Sequence, residues 1–431
     1  MDERKRPHVV IVGAGFAGLW AVRALAGKAV DVTLIDQNNY HAFLPLLYQV
    51  AAAEIEPEQI AYPVRAFLRR FSNVSFDMAH VERVALGQRQ VICEDHAVAY
   101  DYLIVAAGSE SAYFGIPGAA EWTFPLKTMD EAVALRNHIL ACFEHAQHET
   151  DSRSLGRRLT FVIVGGGATG IELSGALAEL VHRPLKRDFP AIDFSRVRIV
   201  LLESRDRLLP MLPEKLREYA MRHLEKMGVQ IRLNIAVGRI DPDRVTLTNG
   251  ETIPAETTIW TAGVNGSITS ALNELPLTSS RRVRVLPTLQ AENFPEVYAA
   301  GDVAAFLEAG HELPMVAPIA VAQGIHAARN ILRQATGRAP QIFVHKNKGT
   351  MVALGRNAGV AHLKKLAFKG FPAWMVWLIV HLMKLVGFRN RLLVLIDWAW
   401  DYLFFERSVR LILPAQAERR EPSAANHSWN C

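Results

Sequence analysis

Residues 161–175 read FVIVGGGATGIELSG. Four apolar residues run into three consecutive glycines, and small and apolar residues follow, a pattern that predicts a buried strand, a tight turn and a helix. Gly165, Gly167 and Gly170 form G-x-G-x-x-G. In that pattern the glycines permit the turn and a close backbone approach, while the helix amino terminus offers free N–H groups and positive potential to a pyrophosphate. The next predicted strand, VRIVLLES, ends in Glu203, where a carboxylate accepts from a ribose 2′-OH and repels a 2′-phosphate. Arg205 and Arg207 follow, either as a solvated loop or as cations that soften that preference.

The stretch is the second of its kind. HVVIVGAGFAGLWAV begins at His8 and carries Gly13, Gly15 and Gly18 in the same spacing, and DVTLID ends in Asp36, 23 residues after Gly13. That is close to the roughly 20 residues separating turn and ribose carboxylate in the dinucleotide fingerprint. Two such units in one chain imply two dinucleotides that meet. A bound flavin (FAD) and a diffusing nicotinamide (NADH) are the economical pair, since hydride transfer needs their rings in contact.

Composition agrees with a large globular protein. The chain has 431 residues, half of them hydrophobic, and a formal net charge of +5, enough for two or three domains. No nucleic-acid partner is expected. Cys93, Cys142 and Cys431 show no paired spacing, so a disulfide framework, a metal site and a redox dithiol are all unexpected. The apolar run enters the first glycine loop directly after MDERKRP, and no leader peptide is expected.

YDYLIVAAGS (100–109), TTIWTAGV (257–264) and EVYAAGDVA (296–304) are further strand-then-glycine segments around the second unit. Together they resemble the two-dinucleotide-domain flavoprotein family, in which the nicotinamide domain splits the flavin domain. The resemblance implies that Asp302 hydrogen-bonds the flavin's ribityl chain, and it places Ala107 where the family commonly has threonine. NYHAFLPLLYQVA (39–51), YFGIPG (113–118) and KNKGTMVALGRNAGVA (346–361) narrow the resemblance to type II NADH dehydrogenase, the single-subunit, non-proton-pumping NADH:quinone oxidoreductase. The expected class is therefore α/β with two Rossmann-like domains: flavin domain 1–120 and 263–340, nicotinamide domain 121–262, a carboxyl-terminal anchoring region 341–413, and a disordered tail 414–431.

The carboxyl-terminal region also has a reading of its own. Residues 373–386 and 392–405 predict two apolar helices, each about 21 Å long at 1.5 Å per residue, short of the roughly 30 Å hydrocarbon core. Trp374, Trp377, Trp398 and Trp400, four of the eight tryptophans, fall here, and residues 363–413 hold eight lysines and arginines against three acids. Interfacial aromatics with basic flanks predict a monotopic anchor on an anionic lipid surface. A buried hairpin and a homodimer interface are the alternatives. The expected location is the cytoplasmic face of a bacterial inner membrane.

Glu172, two residues past the last glycine of the opening motif, is either a favourable helix start or a functional acid. The resemblance implies the second: that Glu172 faces the nicotinamide and quinone side of the flavin and is linked to proton supply, with Lys348 of NKG nearby. It also implies a quinone-site helix reading A-Q-x-x-x-Q. Residues 317–322 read APIAVA instead, so Pro318 and Ala322 stand where glutamines are expected, and Gln323 is one position late. Readings left open are a sulfide:quinone oxidoreductase, a soluble ferredoxin-type reductase, a membrane reductase with another acceptor, and a non-enzymatic NADH sensor.

Overall fold

The computed structural model describes residues 6–267, 271–272, 274–364, 366–404 and 409–412, so the tail 414–431, with Cys431, lies outside the described residues. Strand His8–Val12 lies inside a six-stranded sheet, flanked by Tyr102–Val105 and Asp31–Asp36, with Val74–Met78 beyond the latter. Phe294–Ala299 and the short Gln290–Ala291 complete the opposite side. Strand Thr160–Val164 has the same station in a five-stranded parallel sheet, between Thr257–Trp260 and Arg198–Leu202. Both strands run into their glycine turns as continuous apolar segments because both faces of each sheet are covered.

The duplication extends past the glycine loops. Each sheet carries a three-stranded antiparallel meander, Val81–Ala85 to Ala97–Ala99 in the first and Val237–Asp241 to Thr252–Pro254 in the second. The chain leaves the first sheet along Ser109–Ser111 and returns along Val264–Gly266, and these two strands pair antiparallel.

The turns explain the glycines. Gly13 and Gly165 have φ of +104° and +114°, values that L side chains rarely adopt. A Cβ on Gly18 would lie 1.8 Å from the Gly13 carbonyl oxygen, and one on Gly170 2.0 Å from that of Gly165. Each helix therefore starts packed against its own turn.

The carboxyl-terminal region is an antiparallel sheet of Thr350–Ala353, Gly359–Leu363 and Leu366–Lys369, followed by helices Phe371–Lys384 and Phe388–Phe404. Both helices begin earlier than their apolar runs, right after Gly370 (φ +72°) and Gly387 (φ +89°); Pro372 fits the first turn of one because its missing N–H is not needed there. Among the described residues no helix is long and apolar enough to cross a membrane.

The exposed side of the helix pair is apolar. Met375, Ile379 and Met383 recur every four residues on one helix, and Phe388, Leu392, Leu395, Ile396 and Leu403 are exposed on the other. The tryptophans divide. Trp400 is exposed and Trp374 stacks on Tyr402, but Trp377 is only 1% exposed and Trp398 donates to Gln49 Oε1 at 3.0 Å. The expectation of four interfacial tryptophans thus fails for two that the helices turn inward. Asp397 likewise faces the protein, accepting from Gln59 Nε2.

This region docks on the helix of the second glycine motif, Ala168–Leu180, where a Cβ on Gly175 would lie 2.8 Å from the Leu354 carbonyl oxygen. Overpacking at such a contact costs about 1–3 kcal/mol. Gly175→Ala should lower the denaturation midpoint accordingly; an unchanged midpoint would show that the contact gives way freely.

Candidate active site

Strand-end carboxylates brace both glycine turns in the same way. Ala14 N–H donates to Asp36 Oδ2 at 2.6 Å, and Asn38 N–H to Asp36 Oδ1 at 2.7 Å. In the second unit Gly166 N–H donates to Glu203 Oε2 at 2.7 Å and Arg205 N–H to Oε1 at 2.9 Å. Burial raises the Asp36 pKa above the usual carboxylate range, and the two backbone bonds oppose that shift. Arg207 is held by its neighbour Asp206, and Arg205 is exposed.

The dinucleotide cradles fit their ligands. A Cβ on Gly15 or Gly167 would meet nothing within 4 Å, in front of the respective helix. The first-turn N–H groups of a helix have no acceptors within it, so both places suit a pyrophosphate.

A cavity of about 1990 Å³ opens beside the first turn. It brings together Gly13, Gly15, Asp36, Ala107 and Asp302 with Glu172, Lys348 and Pro318. Gly18, Gly165, Gly167, Gly170 and Glu203 lie outside its lining, and so does Ala322. Ala322 packs, partly buried, on the core of the first sheet, whereas Ala317, Pro318, Ile319, Ala320 and Val321 of the same helix line the cavity. Gln323 is 1% exposed and accepts from Gly301 N–H at 2.8 Å, which commits its amide to holding the turn before Asp302. Ala107 contributes its backbone, accepting from Ser267 Oγ at 2.6 Å.

Glu172 sits in the second turn of its helix with a partial opening onto the cavity. Oε1 accepts from Ala353 N–H at 3.2 Å and from the Trp377 indole N–H at 3.1 Å. Burial pushes its carboxyl up to about 8, the two hydrogen bonds pull it down, and Glu54 adds to the rise. Lys348 is exposed on the cavity wall, in a loop where Gly349 N–H donates to Asn347 Oδ1.

Sequence reasoning missed several neighbours. Lys127 Nζ donates to Ser109 Oγ at 3.1 Å, and Ser109 Oγ to Asp302 Oδ2 at 2.7 Å. Burial lowers the Lys127 pKa while Asp302 and Glu131 oppose it. The signal was Thr128 and Glu131, whose T-x-x-E spacing forms a capping box right after Lys127. Trp377 and His381, four residues apart, stack with ring centroids 4.1 Å apart. Burial holds His381 near 4, hence neutral. Beside them Tyr48 is buried and its pKa is pushed well above the usual phenol value, by burial first and then by Glu172.

The two described cysteines are buried apart, Cys93 in one hydrophobic cluster and Cys142 in another, and burial pushes both thiols up to about 11. Neither thiol is poised for sulfur chemistry at the flavin.

Residues 7–324 match the pyridine nucleotide-disulphide oxidoreductase family, and residues 347–407 match the NDH2 C-terminal domain. The type II NADH:quinone oxidoreductase Ndh of Mycobacterium tuberculosis is 35% identical over 96% of this chain and 92% of its own length. The chain belongs to the type II NADH:quinone oxidoreductase family. A second relative from that organism, NdhA, is 37% identical over 92% of this chain and 87% of its own. Among solved structures, NDH2 from Plasmodium falciparum in complex with NADH shares the fold with a TM-score of 0.86 at 19% identity, covering 95% of this chain and all of that one. The family's expected fold, two dinucleotide-binding sheets and a carboxyl-terminal helical region, is the one found.

The position of Glu203 gives a donor test. NADH should act as donor much more efficiently than NADPH, and Glu203→Ser should narrow the gap, as kcat/KM for the two nucleotides will tell. Equal efficiencies in the unchanged protein would remove this role from Glu203.

Proposed function

We propose that the chain is a single-subunit NADH:quinone oxidoreductase, taking hydride from NADH and delivering two electrons to a membrane quinone without pumping protons. FAD held at the first glycine turn, by Gly13, Gly15, Asp36, Asp302 and the Ala107 backbone, would supply the exchange between nicotinamide and quinone. Gly165, Gly167 and Gly170 would seat the NADH pyrophosphate, and Glu203 its ribose.

The observation that carries this reading is Glu172. It lies two residues past Gly170, opens onto the flavin-side cavity and is bonded to the carboxyl-terminal region. Quinone oxygens become hydroxyls, so the acceptor step consumes protons. A carboxyl whose pKa burial raises to about 8 can supply one there. Lys348 places a positive charge on the same cavity wall, which favours negative charge developing on a quinone oxygen.

The apolar, outward-facing helix pair borders that cavity through Val380, His381 and Lys384. Resting on the anionic cytoplasmic leaflet, it would open the cavity toward the lipid that carries the quinone. Replacing Met383 and Phe388, 61% and 80% exposed, together by Asp should weaken binding to anionic vesicles in a sedimentation assay. Undiminished binding would leave the pair as a protein interface, a homodimer included.

One observation favours a second reading, a membrane reductase with a different acceptor. Residues 317–322 bring no amide to the cavity, and Gln323 is occupied with Gly301. Anaerobic reduction by NADH, then mixing with menaquinone and ubiquinone analogues, separates the two readings. Fast reduction with no reoxidation by any quinone would select the second.

The same experiment tests Glu172. Because its carboxyl gives up its proton as pH rises through about 8, quinone-driven reoxidation should fall above that pH while reduction by NADH does not follow. Glu172→Gln should slow reoxidation by an order of magnitude or more and reduction far less.

A further inference from the structure

Glu172 is functional only if its carboxyl faces the cavity in one orientation and carries a proton at working pH. Its helix supplies neither condition. The side chain lies beyond the first turn, and its hydrogen bonds reach 181 and 205 residues along the chain, to Ala353 N–H and Trp377 Nε1. Both donors belong to the carboxyl-terminal region, and both go to the same oxygen, Oε1. Glu172 itself lines the cavity.

We infer that Trp377 is a positioning residue for Glu172: its indole N–H fixes the carboxyl's orientation from the anchoring helix, so that this helix completes the proton-donating group of the quinone step. The inference rests on the quinone reading proposed above. Trp377 is suited to the task because its ring cannot turn. It is 1% exposed, stacked on His381, tilted against Trp398 at 5.8 Å and edge-on to Tyr48 at 6.3 Å. On the same helix Met375, Ile379 and Met383 point outward. The helix thus presents its apolar side outward and its hydrogen-bond donor inward, and Glu172 is aligned only when the helix is seated.

The groups around the carboxyl do not offer a substitute. Glu54 and Tyr48 come from the segment packed beside it; Glu54 is an acid and Tyr48 donates no hydrogen bond to Glu172. Glu179, two turns further along its own helix, accepts from Arg356 N–H. His381 is neutral and its Nδ1 bonds to the Trp377 carbonyl. Lys348 and Lys384 line the cavity, and neither bonds to Glu172.

The indole bond favours the ionised carboxylate, so removing it raises the carboxyl's pKa. Trp377→Phe, which keeps an aromatic ring, should move the Glu172 titration upward by about one pH unit. The titration is read directly, without quinone, from the carboxyl C=O infrared band that is absent in Glu172→Gln. Quinone-driven flavin reoxidation should slow about tenfold or more at pH 7, its falling limb should move with the band, and reduction by NADH should keep its rate. Trp398→Phe is the packing control, since that indole bonds Gln49 rather than Glu172; it should leave the midpoint in place. An unmoved midpoint in Trp377→Phe, or an equal shift in both variants, overturns the inference. If Trp377→Phe fails to fold, Trp377→Tyr takes its place and is read against the same control. A shifted midpoint in a protein whose flavin no quinone reoxidises would sink the quinone reading and leave the positioning of Glu172 standing.

Discussion

The hydrogen bond from a glycine turn to a carboxylate at the end of the neighbouring strand sets the geometry of this molecule twice. Ala14 to Asp36 and Gly166 to Glu203 are the same contact in two sheets. Each ties the turn to the adjacent strand, whose register with the first is fixed by parallel pairing from His8 with Asp31 and from Thr160 with Arg198. The helix can then start only in one direction, with its amino terminus over the turn. A carboxylate that spends one oxygen on the turn still has lone pairs for a ribose hydroxyl, so structural and binding roles coexist in one side chain.

From that starting point the second helix is a shared element. Its first turn belongs to a nucleotide cradle, Glu172 belongs to the cavity, and Gly175 belongs to the contact with Leu354. One helix therefore meets the second glycine turn, the cavity and the carboxyl-terminal region within eight residues. In the reading proposed above, this would bring donor and acceptor sites close together.

The sheets were legible in the sequence because both rest on local signals: an apolar strand, glycines at fixed offsets and an acid at the next strand's end. Glu172 and Lys348 were legible only through resemblance, and the structure brings both to one cavity. Trp377 was not read as a site residue because its partner lies 205 residues away, and the capping box after Lys127 marks a helix start without showing that Lys127 meets Ser109. The tryptophans show the limit most clearly. An aromatic in an apolar helix reads as interfacial, yet which face it occupies depends on how the helix docks, here with Gly359 close against the Trp374 backbone and Gly175 against Leu354.

The helix 317–335 carries the remaining argument. It lacks the expected amides at Pro318 and Ala322, and Ala322 turns away from the cavity toward the first sheet's core. Gln323 is not a displaced version of either, because its carbonyl closes the Gly301 turn and so holds Asp302 beside Ser109 and Lys127. In the reading proposed above, recognition of the acceptor would fall to Glu172, Lys348, His381 and Lys384, which also line the cavity. Two of these four belong to the helix that also presents its apolar face outward. If that face rests on the membrane as proposed, an acceptor drawn from the lipid would meet polar partners on the same helix, and the amide pair would be dispensable for that reason.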